Sequence, residues 1–297
     1  MVNYVKVGNE SQFGTHVTTA GINASDVSVD VDRSLLIEEN IDNYIAAAAY
    51  GGPLKISGTI EGNIRPKQLE LILKSFMGDS TGPYIFGVPT SMSIDIGEEL
   101  MNQEMQCVGC GISKLSLKFA AKEFATFTAD FFAKNYVLAE FSEPTITAED
   151  PALFYNASLE IGGAASTEIK EITVDLDRKL DEDNFVLNDF TLHRLARTGV
   201  TSVTGSITFA ETAFTEYNKA ITGSATGVGT AVDANNTVAS SVLSIKCTDL
   251  AGVLKFTLDL PVAVYGKGGR KISKVSEIEK IVDFTATGSG VTFTIAA

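Results

Sequence analysis

Apolar and polar residues alternate along most of this chain, the pattern of a strand with one face buried and one face wet. Val27 to Glu39 reads VSVDVDRSLLIEE, and Ile172 to Asn184 reads ITVDLDRKLDEDN. Val29-Asp30-Val31-Asp32-Arg33 falls on Val174-Asp175-Leu176-Asp177-Arg178. Lys55 to Ile60 (KISGTI) likewise matches Ser202 to Ile207 (SVTGSI), with Gly58 on Gly205. A glycine inside a strand signals a bulge or a close backbone approach. Each pair of blocks precedes a stretch of helical spacing. Pro66 to Phe76 carries Leu69, Ile72, Leu73 and Phe76 on one face, and Glu211 to Thr222 carries Phe214, Tyr217 and Ile221. Pro66 suits a first helical turn, and Gly78 and Gly223 stand where helix-ending glycines belong.

Two further strands follow each helix. Leu115–Lys118 is aligned with Leu243–Lys246, and Phe127–Phe131 with Phe256–Leu260, which puts about seventeen extra residues between Gly78 and Ser113 of the first half. The repetition predicts a mainly β (α+β) protein of two tandem β-sandwich or barrel domains, each with one flanking helix. The expected divisions are an N-terminal arm over 1–14, a first copy over 15–143, a connector over 144–151 and a second copy over 152–297. Lys280 to Ile295 reads as a closing hairpin.

Composition narrows the function. The net charge of −14 opposes binding to nucleic-acid phosphates. Two histidines leave little acid–base chemistry near neutral pH, and three cysteines make no disulfide framework. The opening residues have no signal-peptide pattern and no apolar run reaches membrane-spanning length, so folding in a cytoplasm is expected. Cys107-Val108-Gly109-Cys110 has the spacing of half a zinc site but lacks clustered partners, and reads as two loop cysteines. Gly227-Val228-Gly229 lacks the third glycine of a dinucleotide fingerprint, and Gly266–Lys271 lacks phosphate-loop spacing. No nucleophile–base pair is present, so no enzyme, cofactor or metal is expected.

Against that background, Gly8-Asn9-Glu10-Ser11-Gln12-Phe13-Gly14-Thr15 resembles the G-x-E-S-x-[YF]-G-T opening of a family of tail tube proteins of tailed phages. Ala157–Ile161 (ASLEI) and the stretch Arg194–Phe209, ending in Gly205-Ser206-Ile207-Thr208-Phe209, are similar to the same family. The resemblance implies a structural subunit that self-assembles into stacked six-lobed rings around a channel for the genome, with the helix outside. A chain of two copies then implies a trimeric, pseudo-hexameric ring. Implied partners are the chain itself, the tail terminator, tape-measure and baseplate or tip proteins, with DNA passing unbound and no membrane. The location implied is the virion tail, after assembly in the host cytoplasm. The inner tube of a contractile injection system, and a β-sandwich surface or binding module, are the alternatives. Asp30, Asp32, Asp175 and Asp177 are the expected lumen-lining acids. Asp79, Tyr84, Phe86, Gly227, Gly229, Lys267, Arg270 and Lys271 are the expected inter-subunit contacts, most of them in the long loops expected at Gly78–Ser113 and Gly223–Val238.

Overall fold

Wherever the alternation runs unbroken the chain is extended, and the strands so formed bury their apolar sides together. A computed structural model describes residues 3–17, 19–39, 45–46, 48–78, 81–210, 215–225, 239–273, 277–288 and 290–296. The first half contains β1 (Asn3–Asn9), β2 (Ala20–Ile22), β3 (Asp26–Glu38), β4 (Ala48–Asn63), α1 (Pro66–Met77), β5 (Tyr84–Ile85), β6 (Met92–Glu98), β7 (Gln103–Ala120), β8 (Thr126–Ala133) and β9 (Asn135–Glu140). The second contains β10 (Ala157–Ile161), β11 (Ala164–Ser166), β12 (Ile169–Asp177), β13 (Ser202–Phe209), α2 (Thr215–Thr222), β14 (Ser240–Thr248), β15 (Leu254–Ser273), β16 (Glu277–Ala286) and β17 (Thr292–Ile295). The protein is mainly β, as the alternation predicts.

One antiparallel sheet runs through both halves in the order β3–β4–β8–β7–β12–β13–β16–β15. The long strands β7 and β15 each serve two layers. Beyond its pairing with β8 and β12, the N-terminal part of β7 lies between β6 and β9. The N-terminal part of β15 lies between β14 and β17. The pairings β1–β2 and β1–β6 of the first half recur as β10–β11 and β10–β14 of the second. Bulges recur too: Ile112/Lys114 in β7 corresponds to Tyr265/Lys267 in β15, and Met92/Ile94 in β6 to Ser241/Leu243 in β14. Asn3–Asn9, within the segment expected as an arm, is β1, and it lies between β2 and β6.

This network corrects the alignment of the later strands. β7 corresponds to β15 and β8 to β16, so Leu115–Lys118 stands opposite its strand neighbour as Gly268–Lys271 does, and Phe127–Phe131 as Lys280–Phe284 does. Leu243–Lys246 belongs to β14, the counterpart of β6. Any half-buried strand shows the same alternation, so the pattern cannot distinguish neighbouring strands of a sheet. The supposed insertion between Gly78 and Ser113 disappears with the alignment: that stretch holds β5, β6 and the first part of β7 and is no long loop. Lys280–Ile295 is not a hairpin either. β16 and β17 both pair with β15, on the edge away from β14, and β17 also pairs with β5.

Gly58 and Gly205 hold equivalent places. A Cβ on Gly58 would lie 2.3 Å from the Ser28 carbonyl oxygen and 2.6 Å from the Phe131 ring; on Gly205 it would lie 2.2 Å from the Thr173 oxygen and 2.5 Å from the Phe284 ring. Each phenylalanine therefore uses the space a side chain would take. The helices end as expected on Gly78 (φ 77°) and Gly223 (φ 72°). α1 begins at Pro66, and the Lys67 amide donates to the Glu149 carboxylate at 3.0 and 3.1 Å, which supplies a partner to a helix end otherwise without one. Glu149 lies in the segment expected as a connector, which also bridges Gly21 through Ile146. The apolar core is continuous across the two halves, from Leu69, Ile72 and Phe76 of α1 to Phe256 and Phe293.

Candidate assembly surface

The eight-stranded sheet has one apolar face and one polar face. Ile56, Ile60, Leu115, Leu117, Val174, Leu176, Val203, Ile207, Val282 and Phe284 are buried on the first. On the second, β4 presents Lys55, Ser57, Thr59 and Glu61, β13 presents Ser202, Thr204, Ser206 and Thr208, and β8 presents Thr128 and Asp130. Carboxylates dominate its charge: Asp26, Asp30 and Asp32 of β3, Glu171, Asp175 and Asp177 of β12, and Glu279 and Asp283 of β16. The four predicted acids thus share a face but stand apart along it. Asp30 and Asp32 are exposed at one end of the sheet; Asp175 and Asp177 are half-buried in its middle.

In that middle, β12 meets β7 and the two halves of the chain join. Asp177 stands opposite Lys114, Asp175 opposite Ser116 and Thr173 opposite Lys118. Lys114 Nζ is 3.7 Å from the Asp175 carboxylate, to which the Ser116 hydroxyl also donates. Burial works against ionisation of Asp177, but hydrogen bonds from Lys179 outweigh it and hold the carboxyl below its ordinary range. The join is therefore an acidic strand laid against a basic one.

Among the described residues, the two ends of the sheet repeat that chemistry without a partner strand. Among the described residues β3 pairs only with β4, so its outer edge, carrying Asp26, Asp30 and Asp32, is open. Among the described residues the C-terminal part of β15 pairs only with β16 and has no strand on its other edge; Lys267 and Arg270 there are exposed. Lys271 lies in the same strand, opposite Glu279. By the recurrent register, β3 corresponds to β12 and the open part of β15 to the part of β7 that receives β12.

Other predicted contacts are already taken within the chain. Tyr84 is buried, its hydroxyl donating to Glu70 at 2.5 Å, and its strand β5 pairs with β17 of the second half. Phe86 packs edge-on against Phe76, and the Arg178 guanidinium lies 5.3 Å from its ring centre. Asp79, Gly227 and Gly229 lie outside the described residues. Cys107 and Cys110 are not loop residues but buried members of β7; burial pushes the Cys107 thiol up to about 12 and raises Cys110 further from neutral, so neither is a ready nucleophile. Among the described residues no group of His, Cys, Asp and Glu could hold a metal ion, and no helix is long and apolar enough to cross a membrane.

Two residues that matter were not singled out by the sequence. Arg178 is fully buried, donates to the Gly87 carbonyl at 2.7 Å and lies over Phe76 and Phe86; burial lowers its pKa to about 10. Its only sequence signal is its place at the end of the repeated Val-Asp-x-Asp-Arg block. Glu10, in the opening motif, is buried and accepts from Ser93 Oγ and the amides of Gly109 and Gly14. Gly14 has φ 75°, so the motif's glutamate and glycine together fix one turn against β6 and β7. No curated protein matches the chain. The model of the phage tail tube protein family matches residues 3–292, nearly the whole length, and the chain belongs to that family.

Proposed function

We propose that three copies of this chain close into a ring whose continuous inner sheet lines the bore of the tail tube, and that rings stack to form it. Membership of the family makes the protein a structural component of the phage tail that associates with itself. One observation carries the finer reading: among the described residues the sheet ends on an unpaired acidic edge and an unpaired basic edge, and the same two chemistries already meet inside the chain where β12 joins β7. In the proposed ring the same register, in which Asp177 faces Lys114 within the chain, sets Lys267 of one copy opposite Asp32 of the next. Open strand edges are sites of uncontrolled association, and closing a ring removes them.

On this reading the chain is one unit present twice, β1–β9 and β10–β17, and a trimer is a pseudo-hexamer. The polar face lines the bore and the helices lie outside it. Its excess of carboxylates repels DNA phosphates over about 8–10 Å at physiological salt, so the genome passes without sticking. The tail terminator, tape-measure and baseplate or tip proteins meet the ends or the interior of such a tube. Negative-stain microscopy with mass measurement of the purified protein is the test. Hollow rings of three chains, or tubes built from them, are expected; a monomer at high concentration, or a solid particle, refutes the reading.

A further inference from the structure

Two clefts stand at equivalent places in the two halves and differ in how they are closed. The first, of about 430 Å³, lies between β1, β2, β6 and the start of β3, and Val5, Ile22, Val27 and Ile96 line it. Their counterparts in the second half, Leu159, Ser166, Ile172 and Ile245, line a cleft of about 150 Å³. One side sets the two apart. In the second cleft it is formed by Phe119, Ala120 and Ala121, from the end of β7 and the residue after it, which belong to the first half.

That side is supplied by the join of the two halves. Phe119 stands opposite Ile172, and the Ala121 amide donates to the Lys170 carbonyl at 2.8 Å. With this side present, Ile172 is 3 % exposed and Phe119 itself 5 %. Val27, the counterpart of Ile172, is only half-buried, and among the described residues no strand lies along the outer edge of β3 to close the first cleft. Otherwise each cleft is lined by its own half and by one residue of the segment between the halves, Ile146 for the first and Phe154 for the second. The first cleft is thus a socket whose plug, in the second half, is the end of a neighbouring strand.

We propose, resting on the ring reading above, that the first cleft is a socket for the end of β15 of the next copy, with Ile272 as the plug. The occupant follows from the register. The C-terminal part of β15 corresponds to the part of β7 that receives β12, so Phe119 corresponds to Ile272 and Ala120 to Ser273. In the ring Val27 then meets Ile272 and Asp26 meets Ser273, as Ile172 meets Phe119 and Glu171 meets Ala120 within the chain. Pairing of charges on the polar face sets the register of the join, and the plug adds the burial of apolar surface on the other face. An isoleucine is smaller than a phenylalanine, so this plug fills less of its socket than Phe119 does.

Two sets of variants test the socket apart from the ring. Asp26→Cys/Ser273→Cys under a mild oxidant reports the register alone; the native cysteines are buried and stay silent, and disulfide-linked dimers and trimers are expected from rings. Ile272→Ala keeps the strand backbone and removes the plug, and is expected to weaken ring formation by about tenfold or more, from what truncating a buried isoleucine costs. Ile272→Phe, which copies Phe119, is expected to strengthen it. Ala24→Trp fills the socket from its own wall and is expected to weaken ring formation, and adding Ile272→Ala to it is expected to recover most of the loss, because the two side chains compete for one space. Thermal unfolding of each variant, below the concentration at which rings form, checks that the chain is folded; if Ala24→Trp is not, the two Ile272 variants decide. Disulfide-linked rings whose formation is unchanged by Ile272→Ala, or weakened by Ile272→Phe, overturn the socket and leave the ring standing. No linked species, or no rings from the unaltered protein, overturns both.

Discussion

Replacing Gly58 and Gly205 by alanine probes the equivalence on which the proposed ring depends. At each site the new methyl meets a backbone carbonyl oxygen of the adjoining strand at 2.3 Å (Gly58) or 2.2 Å (Gly205), and a phenylalanine ring at 2.6 or 2.5 Å. The ring can rotate away, but the carbonyl belongs to a ladder paired on both sides of the contact, Val29 with Gly58 and Val174 with Gly205. The strands must part, so the cost belongs at the upper end of the overpacking range, about 3 kcal/mol each. In a chain of this size that lowers the midpoint of thermal unfolding by roughly 6–12 °C. Circular dichroism against temperature and urea reads the effect directly. Adding Phe131→Leu to Gly58→Ala, or Phe284→Leu to Gly205→Ala, relieves the ring contact but not the carbonyl contact. Each double variant is therefore expected to cost less than the sum of its singles, the sign of direct coupling. Two similar losses and two similar couplings support the equivalence. If either alanine is tolerated within about 0.5 kcal/mol, the size of an ordinary surface change, the close approach is wrong at that site and the correspondence of the two halves fails with it.

Three further outcomes are expected. In the proposed ring, Lys267→Glu sets a carboxylate against Asp32 of the next chain and should weaken ring formation about tenfold per join, since an exposed pair contributes up to about 1 kcal/mol and reversal adds repulsion; adding Asp32→Lys should restore it, and sedimentation that does not change with Lys267→Glu refutes the register. Glu104, almost wholly buried, accepts from Lys6, Tyr4 and Gln106; burial raises its pKa, but these hydrogen bonds outweigh that and hold it below the ordinary 4.5. Because the folded value is depressed, its contribution is complete above the ordinary carboxylate range and is lost as pH falls through the folded value, so Glu104→Gln should cost about 3 kcal/mol near neutrality and the gap should narrow below about pH 4 in urea titrations. Asp30→Lys/Asp175→Lys reverses charge on the polar face and should turn a protein that does not retain DNA at low salt into one that does, with retention falling steeply as salt rises; a DNA-retaining unaltered protein contradicts the repelling bore.

The local rules were legible in the residues. Alternation gave the strands, Pro66 and the glycines at 78 and 223 set helix ends, and the repeated Val-Asp-x-Asp-Arg and Gly58/Gly205 blocks fall in strands with matching pairings. These signals are short-range: they depend on the period of the backbone and on the left-handed conformation glycine accepts, so no partner strand is needed to read them. Which strand lies beside which was another matter. The alternation of Leu115–Lys118 fits Leu243–Lys246 as well as any other half-buried strand, and only the ladder, bulge for bulge, assigns β7 to β15. Arg178 and Glu10 were hidden for the same reason, since a charged residue carries no mark in sequence that its side chain will be buried beneath a ring or a turn supplied from elsewhere. The acids were visible one by one. That they occupy one face, that β12 lays them against the lysines of β7, and that the described sheet has an acidic strand at one end and a basic strand at the other follow from long-range pairing, which the tertiary structure alone decides.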